Sequence, residues 1–225
     1  MTGDLETRER LLRAAEALFA GRGFKQVTVR EICLAAKANV AAVNYHFGDK
    51  LGLYRTIVRS AIDVMSETTN LARQAGEGQP PEEQLRRFVH IFLRRLTAPG
   101  PETVRMIVHR EMHDPTPALD DLTELAIRPR IEYLSGVIAR MTGCDPGDEV
   151  VLRCVGSLQS QALSYLHKPI ATRLGLGSQP TVDEVDEAAR HITAFSIAGI
   201  HAVAGTSAEA RQTPRSAPRR GHRAG

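Results

Sequence analysis

The stretch Thr28-Val-Arg-Glu-Ile-Cys-Leu-Ala-Ala-Lys-Ala-Asn-Val-Ala-Ala-Val-Asn-Tyr-His-Phe-Gly-Asp-Lys50 carries two helix starts and two helix stops in close succession. Thr28 followed by Glu31 has the form of a capping box, in which side chain and backbone satisfy each other's exposed groups at a helix start. Val27 and Ile32 occupy the positions of a hydrophobic staple across that cap. The spacing predicts a helix over residues 29–36. Lys37-Ala38 then forms a tight turn, and Asn39 caps a second short helix from Val40 to about His46, which Gly48 ends. Two short helices joined by a turn of about three residues, with a supporting helix ahead, are the layout of a helix-turn-helix, whose second helix enters the DNA major groove.

Working outward, the supporting helix is expected from Thr7 to Ala20, with Leu11, Leu12, Ala15, Leu18 and Phe19 on one face and Gly21 and Gly23 at its end. Asp49 caps a fourth helix that carries Leu53, Tyr54, Ile57, Val58, Ala61, Ile62 and Met65 and runs to about Gln74. Gly76-Glu-Gly-Gln-Pro-Pro81 breaks the chain. A fifth helix follows with Leu85, Phe88, Val89, Phe92, Leu93 and Leu96 at helical spacing. A sixth is expected from Pro101 to His113, and Asp114-Pro-Thr-Pro117 ends it. The seventh is expected over 118–141 with a kink at Pro129, and the eighth from Gly147 to His167. Thr181 and Glu184 repeat the capping box and open a ninth that ends near Gly205.

The fold class is therefore all-α: an N-terminal three-helix helix-turn-helix domain (residues 1–50), a larger helical domain (51–205), and a disordered basic tail (206–225). The 225 residues, 42% hydrophobic but only 4% aromatic and without Trp, suit a helical globular protein. Residues 205–225 hold five Arg and one Glu, a net +4 against +3 for the chain, so residues 1–204 are slightly acidic. A basic pI thus says nothing about nucleic acid, and that argument rests on the motif. The tail, which has no apolar face, can act only as a diffuse cation towards DNA or be inert. No apolar run is long enough to span a bilayer and no signal peptide is visible, so a cytoplasmic protein with reduced Cys33, Cys144 and Cys154 is expected.

Residue chemistry in the head fits a groove reader. Thr28 can cap its helix and donate to a phosphate, and Arg30 lies in the first turn, within reach of a base edge. Asn39, Val40, Ala41, Ala42 and Asn44 keep the second helix slim and supply amides. Tyr45, His46 and Lys50 are types that contact phosphates. On pattern alone, a packed pair of short core helices remains open. Residues 8–57 resemble the DNA-binding domain of the TetR family of bacterial repressors. The resemblance is carried by Arg10-Leu-Leu-Arg-Ala-Ala-Glu-Ala-Leu-Phe19, Gly23-Phe24, Val27-Thr-Val-Arg-Glu-Ile32, Asn39 through Lys50, and Leu53-Tyr54. Asn39 to Gly48 and, more weakly, Glu111 to Asp120 with Pro129 are similar to the CecR-like (YbiH-like) subgroup. Lys37-Ala38 departs from the Gly-Val of many members. The resemblance implies operator contacts at Thr28, Arg30, Asn39, Ala41, Ala42, Asn44, Tyr45, His46 and Lys50. It further implies an all-helical body that dimerises through its last two long helices and often encloses a pocket, which makes 51–205 the expected ligand-binding (effector-binding) and dimerisation domain.

In the body, small residues recur at i, i+4 in Gly156, Ser160 and Ser164 and in Ala194, Ala198 and Ala202, flanked by Val155, Leu158, Ala162, Ile192, Phe195 and Ile197. These stripes predict a dimer interface at Val155, Leu158, Ala162, Ile192, Phe195, Ala198 and Ala202, alongside packing of the two helices within one subunit. Met65, Phe88, Phe92, Met106, His109, Tyr133 and Gln161 are the candidate effector-pocket residues, with plain core as the alternative. His109 and His113 share a helical face and, with Asp114, raise a metal site or metal enzyme as a second reading. However, Arg110 stands where a metalloprotease motif needs Glu. The reading preferred on the sequence is a non-enzymatic, dimeric repressor with no metal or cofactor, released from a palindromic operator by a small-molecule effector. A constitutive DNA-binding regulator without ligand is a third reading.

Overall fold

The computed structural model describes residues 2–98, 102–164 and 181–212, and every regular element among them is helical. Helix α1 (Thr2–Arg22) starts earlier than expected. The ion pairs Arg10–Glu6 at 3.2 Å and Arg13–Glu9 at 2.9 Å add i, i+4 support along it. Gly23, at φ +83°, turns the chain out of the helix.

Helices α2 (Val29–Ala36) and α3 (Val40–Phe47) form as the sequence predicts. Thr28 and Glu31 close the capping box, and Asn39 Oδ1 accepts the Ala42 N–H at 2.8 Å. Val27 and Ile32 are both fully buried, so the staple is made. Lys37 takes the left-handed turn conformation at φ 50°, ψ 48°, which a glycine would adopt at less strain. Asp49 Oδ1 accepts the Gly52 N–H at 2.7 Å and opens the long helix α4 (Lys50–Gly76).

The body continues with α5 (Pro81–Thr97) and α6 (Glu102–His113). The helix expected over 118–141 is instead three pieces: α7 (Ala118–Leu122), one π-helical turn (Thr123–Ile127) and α8 (Arg128–Thr142). Pro129 explains the break. It has no N–H for the Leu125 carbonyl, and its ring crowds the preceding turn. The turn widens, and the Arg128 N–H reaches back five residues to Thr123 O.

Helix α9 (Glu149–Ser164) is described to Ser164, and the expected end at His167 lies outside the described residues. Helix α10 (Val182–Gln212) opens on the Thr181–Glu184 capping box and runs seven residues past the expected end at Gly205. The reason is local. Ala208, Glu209, Ala210 and Arg211 are strong helix formers, and Pro214 is the first breaker. The rest of the expected tail, 213–225, lies outside the described residues.

Two apolar clusters divide the molecule. One joins Leu11, Ala15 and Phe19 of α1, Ile32 of α2, Val43 of α3 and Leu53, Tyr54 and Ile57 of α4. Ile107 of α6, Ala118 and Leu122 of α7 and Ala126 of the π turn complete it, so residues 1–50 do not close this core alone. The second joins Leu85, Phe88 and Leu93 of α5 to Leu134 and Ile138 of α8, Val155 and Leu158 of α9 and Ile192 of α10. Helix α4 serves both, with Leu53 to Ile62 in the first cluster and Ala72 in the second.

Candidate nucleic-acid interface and the body behind it

Val43 fixes the orientation of α3. It is fully buried against the head core, so the opposite side of the helix faces out. That outer side carries Asn39, Val40, Ala41, Asn44 and Tyr45, all exposed, with Thr28 and Arg30 exposed at the start of α2. Tyr45 is 77% exposed and Val40 45%, too exposed for either to belong to a core. Because Asn39 uses Oδ1 as the cap, its amide NH2 is left to donate outward. The backbone N–H groups of Val40 and Ala41 have no intrahelical acceptor and present the positive end of the helix dipole on the same surface. An exposed ridge with small side chains, amide donors and a positive helix end is chemically matched to the edges and phosphates of a DNA groove.

Three of the proposed contact residues sit differently from the rest. Ala42 is half-buried. The His46 side chain is 8% exposed and its Nε2 lies 3.4 Å from Asp4 of α1. Lys50 is half-buried, with its ammonium over the Phe24 ring at 4.2 Å, and burial lowers its pKa. The spacing explains His46: residues 43, 46 and 47 form the i, i+3, i+4 stripe that packs inward. Thr28 is engaged as well. Its hydroxyl donates to Glu31 at 2.7 Å, and Arg22 Nη1 lies 2.8 Å from the same carboxylate. Arg22 and Thr28 hold the Glu31 pKa at about 2, so this carboxylate stays ionised with a cation beside it. Lys37, in its left-handed turn between α2 and α3, is an exposed cation the sequence reading passed over, and its place in the turn was the available signal.

The head is held by α6. Arg110 donates from Nε to Ala20 O at 2.8 Å and from Nη2 to Gly21 O at 2.6 Å, capping the end of α1. Lys25 pairs with Asp114, and Thr103 bonds to Glu16. The next residue, Glu111, is buried and accepts the Tyr54 hydroxyl of α4 at 2.6 Å and the Thr116 N–H at 3.2 Å. Burial and the Glu111 carboxylate push the Tyr54 phenol far above its usual range, so it remains a donor.

The pocket candidates do not meet in one place. Phe88 and Phe92 stack at 5.5 Å and Tyr133 lies 6.1 Å from Phe88, which makes one aromatic row. Met65 packs on the head-side core. Met106 and His109 face outward from α6, whose inner stripe is Ile107 and Glu111. Gln161 reaches Ser196 of α10 at 3.4 Å. A cleft of about 240 Å³ adjoins Tyr133 and is lined also by Arg73, Gln74, Gly76, Glu77 and Gln84.

The rings of His109 and His113 stack at 4.2 Å, His113 Nδ1 lies 2.8 Å from the His109 carbonyl oxygen, and Asp114 is paired with Lys25. No group of three His, Cys, Asp or Glu side chains able to hold a metal ion occurs among the described residues.

Of the interface candidates, Val155, Leu158, Ala162 and Ile192 point into the subunit's own core, each 3% exposed or less. Phe195, Ala198 and Ala202 are exposed. The outward faces of α9 and α10 also show Leu152, Leu163 and Val203, none of them in the expected set. Their signal was available, since they flank the small-residue stripes. No helix among the described residues is long and apolar enough to cross a membrane.

Residues 11–57 match the family "Bacterial regulatory proteins, tetR family", and residues 81–200 match "HTH-type transcriptional dual regulator CecR, C-terminal domain". The chain belongs to the TetR family and carries a CecR-type C-terminal domain. It is 27% identical to the HTH-type transcriptional dual regulator CecR of Shigella flexneri over 169 residues, 71% of this chain and 75% of that protein. The HTH-type transcriptional repressor BepR of Brucella suis is 43% identical over 56 residues, 25% of this chain and 27% of that protein. Among solved structures, a TetR-family regulator from Streptomyces coelicolor has a TM-score of 0.61 at 17% identity, covering 87% of this chain and 96% of that one. The fatty acid degradation regulator FadR from Bacillus halodurans has a TM-score of 0.58 at 15% identity, covering 85% and 98%. Those identities speak for the fold alone. As a TetR-family member, the chain is a DNA-binding transcriptional regulator.

Proposed function

We propose that this TetR-family protein is a dimeric repressor that occupies a palindromic operator and leaves it when a small molecule binds the body. The observation that carries the reading is the outward ridge of α3, where Asn39, Ala41, Asn44 and Tyr45 stand exposed on a helix anchored by buried Val43. Two such ridges, one per subunit, would read half-sites about one DNA turn apart. The uncovered apolar residues of α9 and α10, Phe195 at 64% exposure foremost, support a second copy as their cover. A regulator of this kind works in the cytoplasm, where the chromosome is. The effector would shift the population between two subunit arrangements with different ridge spacing.

The test uses the intergenic DNA flanking the protein's own coding region. Footprinting should reveal an inverted repeat, and fluorescence anisotropy should give its affinity. Asn44→Ala and Tyr45→Ala should each weaken binding by about 1–3 kcal/mol while leaving Tm unchanged. If both variants bind as the parent does, α3 is not the reading helix.

A further inference from the structure

Helix α6 turns Ile107 and Glu111 inward and carries four donors for a soft metal ion on its outer side. Met106 is 38% exposed and Met112 48%, and His109 and His113 are exposed as well. His109 stands three residues from each Met and four from His113, so the four positions share an arc of about 120° around the helix. Methionine is ordinarily a buried residue, yet neither of these two belongs to either apolar cluster.

The histidines are already close to a chelating arrangement. Their rings stack with centroids 4.2 Å apart and 22° between planes. Two imidazole nitrogens on one metal ion stand roughly 3 Å apart, since each bond is about 2 Å long, so a small ring rotation brings them together. His113 Nδ1 lies 2.8 Å from the His109 carbonyl oxygen. A carbonyl can only accept, so Nδ1 carries the proton and the neutral ring offers its lone pair at Nε2. Ligating histidines are typically oriented by such a bond from the other nitrogen. The helix ends at His113, where its dipole favours a cation. Arg105, on the same side, bonds the Ala98 carbonyl at 3.1 Å.

The donor set selects the metal. Glu111 is buried on Tyr54 and Thr116, Asp114 is paired with Lys25, and no third His, Cys, Asp or Glu joins the pair among the described residues. Hard cations need oxygen ligands, and zinc takes thiolate, imidazole or carboxylate. Thioether sulfur beside imidazole suits Cu(I).

We propose that the outer face of α6 is a copper(I) site, with His109 and His113 as imidazole ligands and the thioethers of Met106 and Met112 completing the coordination. The site stands independently of the effector reading given above.

The full-length protein is titrated anaerobically with Cu(I), kept reduced by ascorbate and competed with bicinchoninate, and separately with Zn(II). The thiols Cys144 and Cys154 are also soft ligands, so the titrations are repeated in Cys144→Ser/Cys154→Ser. In both backgrounds the chain should take up one Cu(I) at α6 and gain Tm with it. His113→Ala should weaken that binding by about 100-fold or more. Met106→Leu/Met112→Leu, which keeps apolar volume, should weaken Cu(I) by about 10-fold and leave Zn(II) binding as it was. Copper uptake that disappears with the two thiols, persists unchanged in His113→Ala, or ignores the methionine pair overturns the site. Zn(II) binding tighter than Cu(I) in the thiol-free background overturns the choice of metal and the role of the thioethers with it.

Discussion

Tyr54→Phe removes a single oxygen from the place where α4, α6 and the turn into α7 meet. Tyr54 is 2% exposed and Glu111 1%, and their hydrogen bond is 2.6 Å long. The remaining donors to Glu111 are the Thr116 N–H at 3.2 Å and the Thr116 hydroxyl at 3.1 and 3.2 Å. That hydroxyl has one proton to share between the two carboxylate oxygens. Without the phenol, a buried oxygen of Glu111 keeps at most a shared donor. A hydrogen bond to a charged group contributes about 1.5–3 kcal/mol, and a buried group left short of partners puts the loss near the top of that range. For a chain of this length, about 2–3 kcal/mol lowers Tm by roughly 4–12 °C. Differential scanning calorimetry measures this directly. A cycle with Glu111→Gln isolates the pair, and the coupling should be at least about 1 kcal/mol. A fall in Tm below about 1 °C, or additive single variants, would mean that the bond does not hold α6 to α4.

Two other outcomes follow from the structure. Ala198→Arg puts a charge into the exposed small-residue stripe of α10 and should convert a dimer to monomers by sedimentation velocity. An unaltered dimer would move the interface away from α9 and α10. Glu31 has its pKa lowered from 4.5 to about 2 by Arg22 and Thr28, so its contribution is complete at neutral pH and fades as pH falls through that interval. The urea midpoint of Glu31→Gln should therefore lie below the parent's at pH 6 and approach it by pH 3. A gap that does not narrow would show that the charge on Glu31 does not support the capping box.

The head was legible because its signals are local. Thr28, Glu31, Asn39 and Asp49 specify their caps within three residues, and nothing distant overrides them. His46 could have been placed as well, since it shares the inward stripe of Val43 and Phe47. The body was legible as helices but not as contacts. Helical periodicity identifies an apolar stripe without saying which neighbour covers it, so Val155, Leu158 and Ile192 read equally well as interface or as core. Met106 and His109 looked like lining residues, yet Ile107 and Glu111 hold the inner face of α6. A buried Glu is the kind of residue that composition assigns to solvent. Arg130 of α8, also buried, was hidden for the same reason. The π turn follows from Pro129, but a kink and a π turn are alternative answers to one missing N–H, and packing chooses between them.

Consecutive residues Arg110 and Glu111 hold different parts of the head. Neighbours on a helix point about 100° apart; here Arg110 grips the last carbonyls of α1 and Glu111 grips Tyr54 of α4. Helix α3 packs on α1, α2 and α4, so on the reading proposed above a change in the body would reach its outward ridge through α1 or α4. Helix α6 is bonded to both, so a shift of α6 would bear on α1 and α4 together. The opposite end of this linkage leads towards the first turn of α8. Thr116 bonds Glu111, its hydroxyl accepts the Ala118 N–H at 3.1 Å to start α7, α7 runs into the π turn, and the π turn delivers Arg128 to Arg130. Ser66 of α4 donates to Leu125 O at 3.0 Å within that turn. A π turn has poorer hydrogen bonding than the helices on either side, and converting it to regular helix changes the phase between them. On the effector reading proposed above, a ligand that shifted the first turn of α8 would strain this turn. The strain would then reach the head through Thr116, Glu111 and Tyr54.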